Sequence, residues 1–413
     1  MKVLWFTPSP SLAEDYLNNK PMNAGFIKSL EREIQDKVDL SIAFYHSEKL
    51  PFFKYGKTTY YPIYSNNNNF FSNIKKRLLS EIEPESDIIK FKEIIEKVKP
   101  DLIHIHGTER PFGLVQEYYL IPTVISIQGN ITVCKQKFFS GISIIDVLKY
   151  SRIKSWITFN TFFNYFIRFK KQSRREKKIF KISTNFIGRT NWDRRITKIL
   201  SPKSTYFHND EILKEIFYEG NWQNKLGETL NLFTTNGPNL FKGIETLILC
   251  AQILDSNNIN FNWKVAGLSP NDDLVYIASK SLKKKISKNI QFLGKIGDNK
   301  LKEAILDSNI YIAVSHIENS PNSLCEALIL GIPCIATNAG GTSNFIEDGK
   351  NGILIQDGDA YSMAGAIVEL KENYDLAVSY GKNARKKALI KHNKSVIVND
   401  LLKIYSNILI KEN

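Results

Sequence analysis

Two doubly wound α/β domains in one chain are the fold this sequence predicts, on three observations. Short apolar runs alternate with amphipathic stretches through the first half, the pattern of a parallel sheet with helices on both faces. The same alternation restarts near Leu230 and runs to Ile355. A length of 413 residues suggests two or three domains at ~150 residues each, enough to bury two sizeable cores.

In order, Val3–Thr7 reads as a strand, Gly25–Gln35 as a helix and Leu40–Tyr45 as a strand. The Asn66–Asn69 run reads as a solvated loop. A helix over Ile88–Val98 is stopped by Pro100, and strands Leu102–His106 and Thr123–Gln128 each lead into a glycine. In the second half Leu230–Thr235 is a strand. Ile244–Leu254 is a helix with apolar residues at helical spacing, and Asn262–Ala266 and Ile290–Leu293 are strands ending at Gly267 and Gly294. Ile310–Val314, Pro333–Thr337 and Gly352–Ile355 complete the series. The predicted division is a first domain over 1–205, a linker over 206–227, a second domain over 228–385 and a C-terminal helix over 386–413 that returns to the first domain. Ligands of such sheets sit at the carboxyl ends of the strands, which with two sheets points to the cleft between them.

Hydrophobic residues at 43% and charged residues at 24% exclude collagen-like, low-complexity and mainly disordered chains. A net charge of +14 and a pI near 9.3 imply an anionic partner: a nucleic acid, an acidic membrane or a phosphorylated small molecule. Cys134, Cys250, Cys325 and Cys334 form no CxxC pair and no zinc spacing, so the expected compartment is reducing. Val3–Phe6 is too short for a signal-peptide core, and no apolar run reaches the ~18 residues of a spanning helix. The chain reads as cytoplasmic.

The segment Val147–Lys181 holds eleven Lys and Arg residues and a single acid, Glu176, interleaved with aromatics. At helical spacing Phe159, Phe162, Phe163, Phe166 and Phe169 share one face. The segment fits a solvated helix face, a nucleic-acid surface, or an interfacial stretch that inserts aromatics and keeps cations for anionic headgroups.

The most informative stretch runs from Ser315 to Pro333. Ser320-Pro321 marks an N-cap and first helical position, and Gly331 sits where a glycine ends the helix. Free amides at Asn322, Ser323 and Leu324, on the positive end of a helix dipole, suit a diphosphate. Glu326, just over one turn in, is placed for two vicinal ribose hydroxyls, and Glu318 for a sugar beyond the phosphates. A plain helix with an acidic first turn explains the same spacing. Asp357-Gly358-Asp359 resembles a metal-binding D-x-D pair, but its place before a helix favours capping and turn chemistry, and no metal is expected. Of the alternating His104 and His106, the first reads as core and the second as functional. Arg189 and Asp193 read as a surface pair or as acceptor contacts.

Glu318 and Glu326 form an E-x7-E pair. The run from Ser315 through Gly331-Ile332-Pro333 to Gly340-Gly341 resembles the nucleotide-sugar site of glycosyltransferase family 4, retaining enzymes of the GT-B fold. Asp101-Leu-Ile-His104-Ile-His106 resembles the family's D-x-x-H-x-H strand, Phe292-Leu293-Gly294 its F-x-G loop, and Lys242-Gly243 its clamp lysine. Phe186–Asp193 is similar to a segment of polysaccharide-assembly members.

The resemblance implies a GT-B protein that moves a sugar from a nucleoside-diphosphate sugar to a saccharide or lipid-linked acceptor. The setting would be cell-surface polysaccharide synthesis at the inner face of the plasma membrane. It implies no cofactor beyond that substrate, no metal and no nucleic acid. Lys242 with the amides of Asn322, Ser323 and Leu324 would hold the diphosphate, Glu326 the ribose and Glu318 the donor sugar, with Glu318 and Lys242 carrying catalysis. Gly294, Lys295 and Ile296 would meet the base, Ala24-Gly25 would approach the phosphates, and His106, Gln128 and Arg189 would lie on the acceptor side. The first domain would bind acceptor and the second the nucleotide sugar. Two departures stand out. Gly237 replaces an arginine common five residues before the clamp lysine, and Gln128 replaces a histidine and is no base at neutral pH. A nucleotide-sugar epimerase of the same fold and a basic membrane- or nucleic-acid-binding protein are the alternatives.

Overall fold

The computed structural model describes residues 1–17, 25–65, 70–223 and 225–412; Ala24 and the Asn66–Asn69 run lie outside them. The chain divides into two compact units. The first comprises 1–135, 164–214 and 392–413, and the second 136–163 and 215–391.

The first unit is built on eight strands: β1 (Lys2–Thr7), β2 (Asp39–His46), β3 (Phe53–Tyr55), β4 (Thr58–Tyr64), β5 (Leu102–His106), β6 (Thr123–Ser126), β7 (Asn185–Gly188) and β8 (Thr205–His208). Their order is β3-β4-β2-β1-β5-β6-β7-β8. All pairs are parallel except the β3–β4 hairpin. The second unit orders its six strands β11-β10-β9-β12-β13-β14, as β9 (Leu230–Thr235), β10 (Phe261–Ala266), β11 (Ile290–Gly294), β12 (Ile310–Ala313), β13 (Cys334–Thr337) and β14 (Ile353–Ile355). All its recorded pairs are parallel. Strand order reverses beside β1 in one sheet and beside β9 in the other, and such reversals open a crevice at the carboxyl edge.

Each sheet is buried on both faces, so its strands read as apolar runs. Leu4 and Phe6 of β1 pack on one face with Phe91, Ile95 and Phe112. Val3 and Trp5 pack on the other with Ile27, Ile34, Leu401 and Tyr405. The final helix, Lys394–Glu412, is thereby part of the first unit. Its Tyr405 hydroxyl accepts from Trp5 Nε1 at 3.1 Å and lies 2.6 Å from His104 Nδ1. The hydroxyl therefore donates to His104, whose proton sits on Nε2 facing Ser126 Oγ at 2.7 Å. Burial pushes the His104 pKa down to about 3, so the ring is a neutral core imidazole.

Three sequence readings change here. The linker region 206–227 contains most of β8, an edge strand of the first sheet, and the division falls between Lys214 and Glu215. Residues 136–163, assigned to the first domain, belong to the second unit. There Ser155 donates to Asp273, Arg152 Nη1 donates to the Asn271 carbonyl at 2.7 Å, and Ser281 donates to Asp146 at 2.9 Å. The aromatic face is shorter than read and half-buried. The helix opens at Phe162, and Phe159 stands in the preceding turn with φ 50°. Phe162, Phe163, Phe166 and Phe169 are half-buried. Further along, Arg175 is buried against Glu83 at 2.9 Å. Glu176 is buried too, accepting from Thr108 Oγ1 at 2.6 Å and from the Ile131 and Thr132 amides at 3.1 and 2.6 Å.

In the second unit His316 is buried between two carboxylates, with Nε2 2.6 Å from Glu245 Oε1 and Nδ1 3.4 Å from Asp357 Oδ2. Gly141 (φ 79°) lies against this pair; a Cβ there would come within 2.2 Å of Glu245 Oε1. Burial depresses the His316 pKa, but Glu245 and Asp357 outweigh it and hold the value above the ordinary one.

Two outcomes follow from these contacts. Tyr405→Phe leaves Trp5 Nε1 and His104 Nδ1 without a partner. It should cost roughly 1–3 kcal/mol, read as faster hydrogen exchange of the β1 amides while those of β9 are unmoved. Because the folded His316 pKa is raised, its stabilisation is complete below about pH 6.5, the unfolded value, and fades as pH rises through the folded midpoint. Stability of the second unit should therefore fall across that upward window, and Glu245→Gln should flatten the dependence.

Candidate active site

The reversal beside β9 places the ends of β9 and β12 next to each other, and a pocket opens there. Its lining includes Thr235, Asn236 and Gly237 after β9, Ser315 and Glu318 after β12, and Lys242, Pro321, Ser323 and Thr342. The backbone is stitched tightly around it. Asn236 Nδ2 donates to the Lys242 carbonyl at 2.9 Å, and the His316 N–H donates to the Phe241 carbonyl at 2.9 Å. Gly243 takes φ 74°, and a Cβ there would stand 1.9 Å from the Val314 carbonyl oxygen, so only glycine lets the loop pass. That loop delivers Lys242, whose Nζ lies 2.5 Å from Glu318 Oε1; the same oxygen accepts from Ser315 Oγ at 2.7 Å. The Glu318 carbonyl in turn accepts from the Gly341 N–H at 2.9 Å. Glu318 and Lys242, read as separate motifs 76 residues apart, are thus one ion pair at the pocket.

The helix that follows spans Asn322–Leu330, with Pro321 as N-cap and no side-chain cap. This moves the cap one residue from the sequence reading: Ser320 does not cap, and its Oγ is buried without a partner. Leu324 also changes. Its N–H donates to the Pro321 carbonyl at 3.0 Å, which leaves the first-turn amides of Asn322 and Ser323 for a ligand. Asn322 Oδ1 and Asn236 Oδ1 are buried and unpartnered as well. The uncapped helix start with free first-turn amides suits an anion, and the unpaired Asn oxygens can accept from hydroxyl or N–H groups of the same ligand. Glu326 sits on the same helix, 6% exposed and outside this lining. Gly294 (φ 65°), Lys295 and Ile296 lie at the carboxyl end of β11, at the same end of the sheet as the pocket but outside its lining. Asp359 caps the helix Ala360–Glu372 through the Ser362 N–H at 2.9 Å, and Asp357 faces His316. Among the described residues no group of three His, Cys, Asp or Glu is placed to hold a metal ion.

In the first unit the carboxyl ends of β5 to β8 gather the other residues named from sequence. Arg189 is buried, not a surface residue. Its guanidinium pairs with Glu211 at 2.9 Å and donates to Gln128 Oε1 at 3.0 Å, over the Phe26 ring at 5.2 Å. Asp193 instead accepts from the Arg189 backbone N–H at 3.0 Å and forms a capping box with Thr190, so the expected side-chain pair does not exist. His106 lies beside this group, 3% exposed, with both ring nitrogens unpartnered. Burial first, then His104 and Arg189, hold its pKa well below the ordinary value, so it is neutral and a weak base. Gly25 opens the helix Gly25–Ile34, where a Cβ would strike Lys214. Two acids escaped the sequence reading. Glu211 balances Arg189. Glu109, beside Gly107 and Gly129, has its carboxyl pushed up to about 7 by burial, with Glu176 reinforcing the rise. No local pattern marks either one; a carboxylate three residues beyond a buried His strand is the faint signal for Glu109.

Residues 224–387 match the family model described as glycosyl transferases group 1. A 124-residue stretch is 29% identical to N-acetyl-alpha-D-glucosaminyl L-malate synthase of Bacillus anthracis, covering 30% of this chain and 32% of that protein. A 101-residue stretch is 29% identical to the capsular polysaccharide biosynthesis glycosyltransferase CapM of Staphylococcus aureus, covering 24% of this chain and 26% of that protein. The alignments thus span about a third or less of those relatives. In fold, sucrose-phosphate synthase from Thermosynechococcus elongatus superposes with a TM-score of 0.72 at 14% identity, covering 99% of both chains. Anabaena Alr3699/HepE in complex with UDP and glucose does so at 0.65 and 14%, covering 98% of this chain and 99% of that one. The chain is GT-B in fold, and its residues 224–387 are similar to the group 1 glycosyl transferases.

Proposed function

We propose that this protein is a retaining, metal-independent glycosyltransferase of cell-surface polysaccharide synthesis. It takes a nucleoside-diphosphate sugar as donor and a saccharide or lipid-linked saccharide as acceptor, and works as a peripheral protein on the inner face of the plasma membrane. The observation that carries this reading is the pocket beside β9 and β12, where one cation and an uncapped helix meet.

The diphosphate lies against the Asn322 and Ser323 amides and Lys242, whose charges stabilise the negative charge that grows on the leaving group. Binding draws Lys242 from Glu318, freeing that carboxylate to accept from donor-sugar hydroxyls. Glu326 takes the ribose, and the backbone at Gly294, Lys295 and Ile296 the base. With Gly237 in place of an arginine, Lys242 carries the clamp charge. The acceptor is held on the first unit near His106, Gln128 and Arg189. Neither Gln128 nor the neutral His106 is a strong base, so the acceptor proton passes to the departing phosphate oxygen. No nucleic acid and no cofactor take part. The relative named for capsular polysaccharide biosynthesis supports the biological setting.

A thermal-shift panel of nucleoside-diphosphate sugars tests the donor reading: a bound donor at ~100 times its Kd adds ~2.7 kcal/mol of stability. No shift with any member would reject it. With the donor in hand, Lys242→Ala should lower the transfer rate roughly a hundred- to a thousandfold, with Lys242→Arg recovering part of it. Turnover should persist in EDTA, because Lys242 and the amides meet the diphosphate; loss on chelation, restored by Mg²⁺ or Mn²⁺, would show the opposite.

A further inference from the structure

Residues 136–163 fold as part of the second unit, and their two short helices leave several apolar side chains outward. In the short helix Ile153–Ile157 the inward residue is Ser155, held by Asp273. Ile153 and Ile157 are instead 79% and 69% exposed, with Trp156 beside them at 38%. The preceding helix, Ile144–Tyr150, buries Val147 and leaves Ile145 71% exposed. A short helix ordinarily gains its stability by burying these residues, so an inverted pair of helices marks a surface that something else covers.

Cations border it. A shallow groove is lined by Tyr150 of that helix together with Lys280, Lys283, Lys284 and Lys285. Lys149 and Lys154 stand exposed on the two helices themselves. Among the described residues none of Lys149, Lys154, Lys283, Lys284 and Lys285 takes part in an ion pair. The nearby acids face inward instead, Asp146 accepting from Ser143 and Ser281 and Asp273 from Ser155 and Arg152. Apolar side chains that protrude beside unneutralised lysines match an anionic lipid surface, which takes the isoleucines below its headgroups and pairs with the cations. A second copy of the chain fits less well, because a two-fold contact through this patch would set lysines against lysines.

We propose that the outward face of residues 144–157, with the lysines at 280–285, is where this protein docks on anionic membrane. The proposal deepens the membrane-peripheral part of the function above and moves the docking surface from the half-buried phenylalanines 162–169 to the second unit.

Co-sedimentation of the full chain with phosphatidylcholine vesicles, with and without phosphatidylglycerol, tests it. The wild type should bind only the acidic vesicles, and less as salt is raised. Ile153→Ser with Ile157→Ser should weaken binding roughly tenfold or more. Lys283→Gln, Lys284→Gln and Lys285→Gln together should weaken it roughly a hundredfold. Both variants should keep the wild-type circular dichroism and thermal shift with nucleoside diphosphates. Equal binding to neutral vesicles, binding that survives both sets of substitutions, or no vesicle binding at all overturns the proposal. So does a wild-type dimer that the isoleucine variant dissolves, which would assign the face to a second copy. Vesicle binding without any thermal shift would sink the donor reading and leave the surface standing.

Discussion

Each unit depends on the constraint that parallel strands impose. A parallel pair cannot be closed by a hairpin, so the chain must cross over the sheet and return, and both faces become buried by those crossovers. When strand order then reverses, as beside β1 and beside β9, two crossovers leave in opposite directions and the carboxyl edge stays uncovered between them. The residues of the candidate site sit on such edges. Lys242 arrives on the loop after β9, Glu318 and the helix Asn322–Leu330 after β12, His106 at the end of β5, Gln128 after β6 and Arg189 after β7.

That constraint also explains which parts of the architecture were legible in the sequence. The central strands are buried on both sides and read as continuous apolar runs, so β1, β5, β9 and β12 were found within a residue or two. Strands β3, β4 and β8 of the first sheet were not, whereas β11 and β14, the edges of the second, were. In β4, Thr58–Tyr64, buried and half-exposed residues mix and Pro62 interrupts the run, while β3 has three residues. Strand β8 has four residues, none of them fully buried, so it resembled a linker. The attachment of 136–163 to the second unit rests on pairs such as Ser155 with Asp273, 118 residues apart, which no local pattern reveals.

The candidate site divides along the same line. Residues fixed by loop and helix grammar were visible, including Gly243, Gly331 and the helix start at Pro321. What one side chain does to another across the fold was not. Lys242 and Glu318 form a pair, Arg189 chooses Glu211 over Asp193, and Leu324 spends its amide on Pro321. The charged segment 147–181 shows the limit most clearly. Its composition suggested one amphipathic surface, yet Arg175 and Glu176 are interior, and most of the exposed apolar residues lie before the helix.

The first unit is assembled from three separate stretches of chain, and the last of them is residues 392–413. Trp5, in strand β1, finds its hydrogen-bond acceptor in Tyr405, 400 residues later. During synthesis, then, the β1 face that Leu401, Ile404 and Ile408 cover stays bare until the ribosome has passed those residues. The second unit, whose strands all lie between 230 and 355, has its sheet complete well before that. Of the two units, the one whose synthesis starts first is therefore the one finished last. Vectorial synthesis leaves it an open apolar surface for a chaperone to shield.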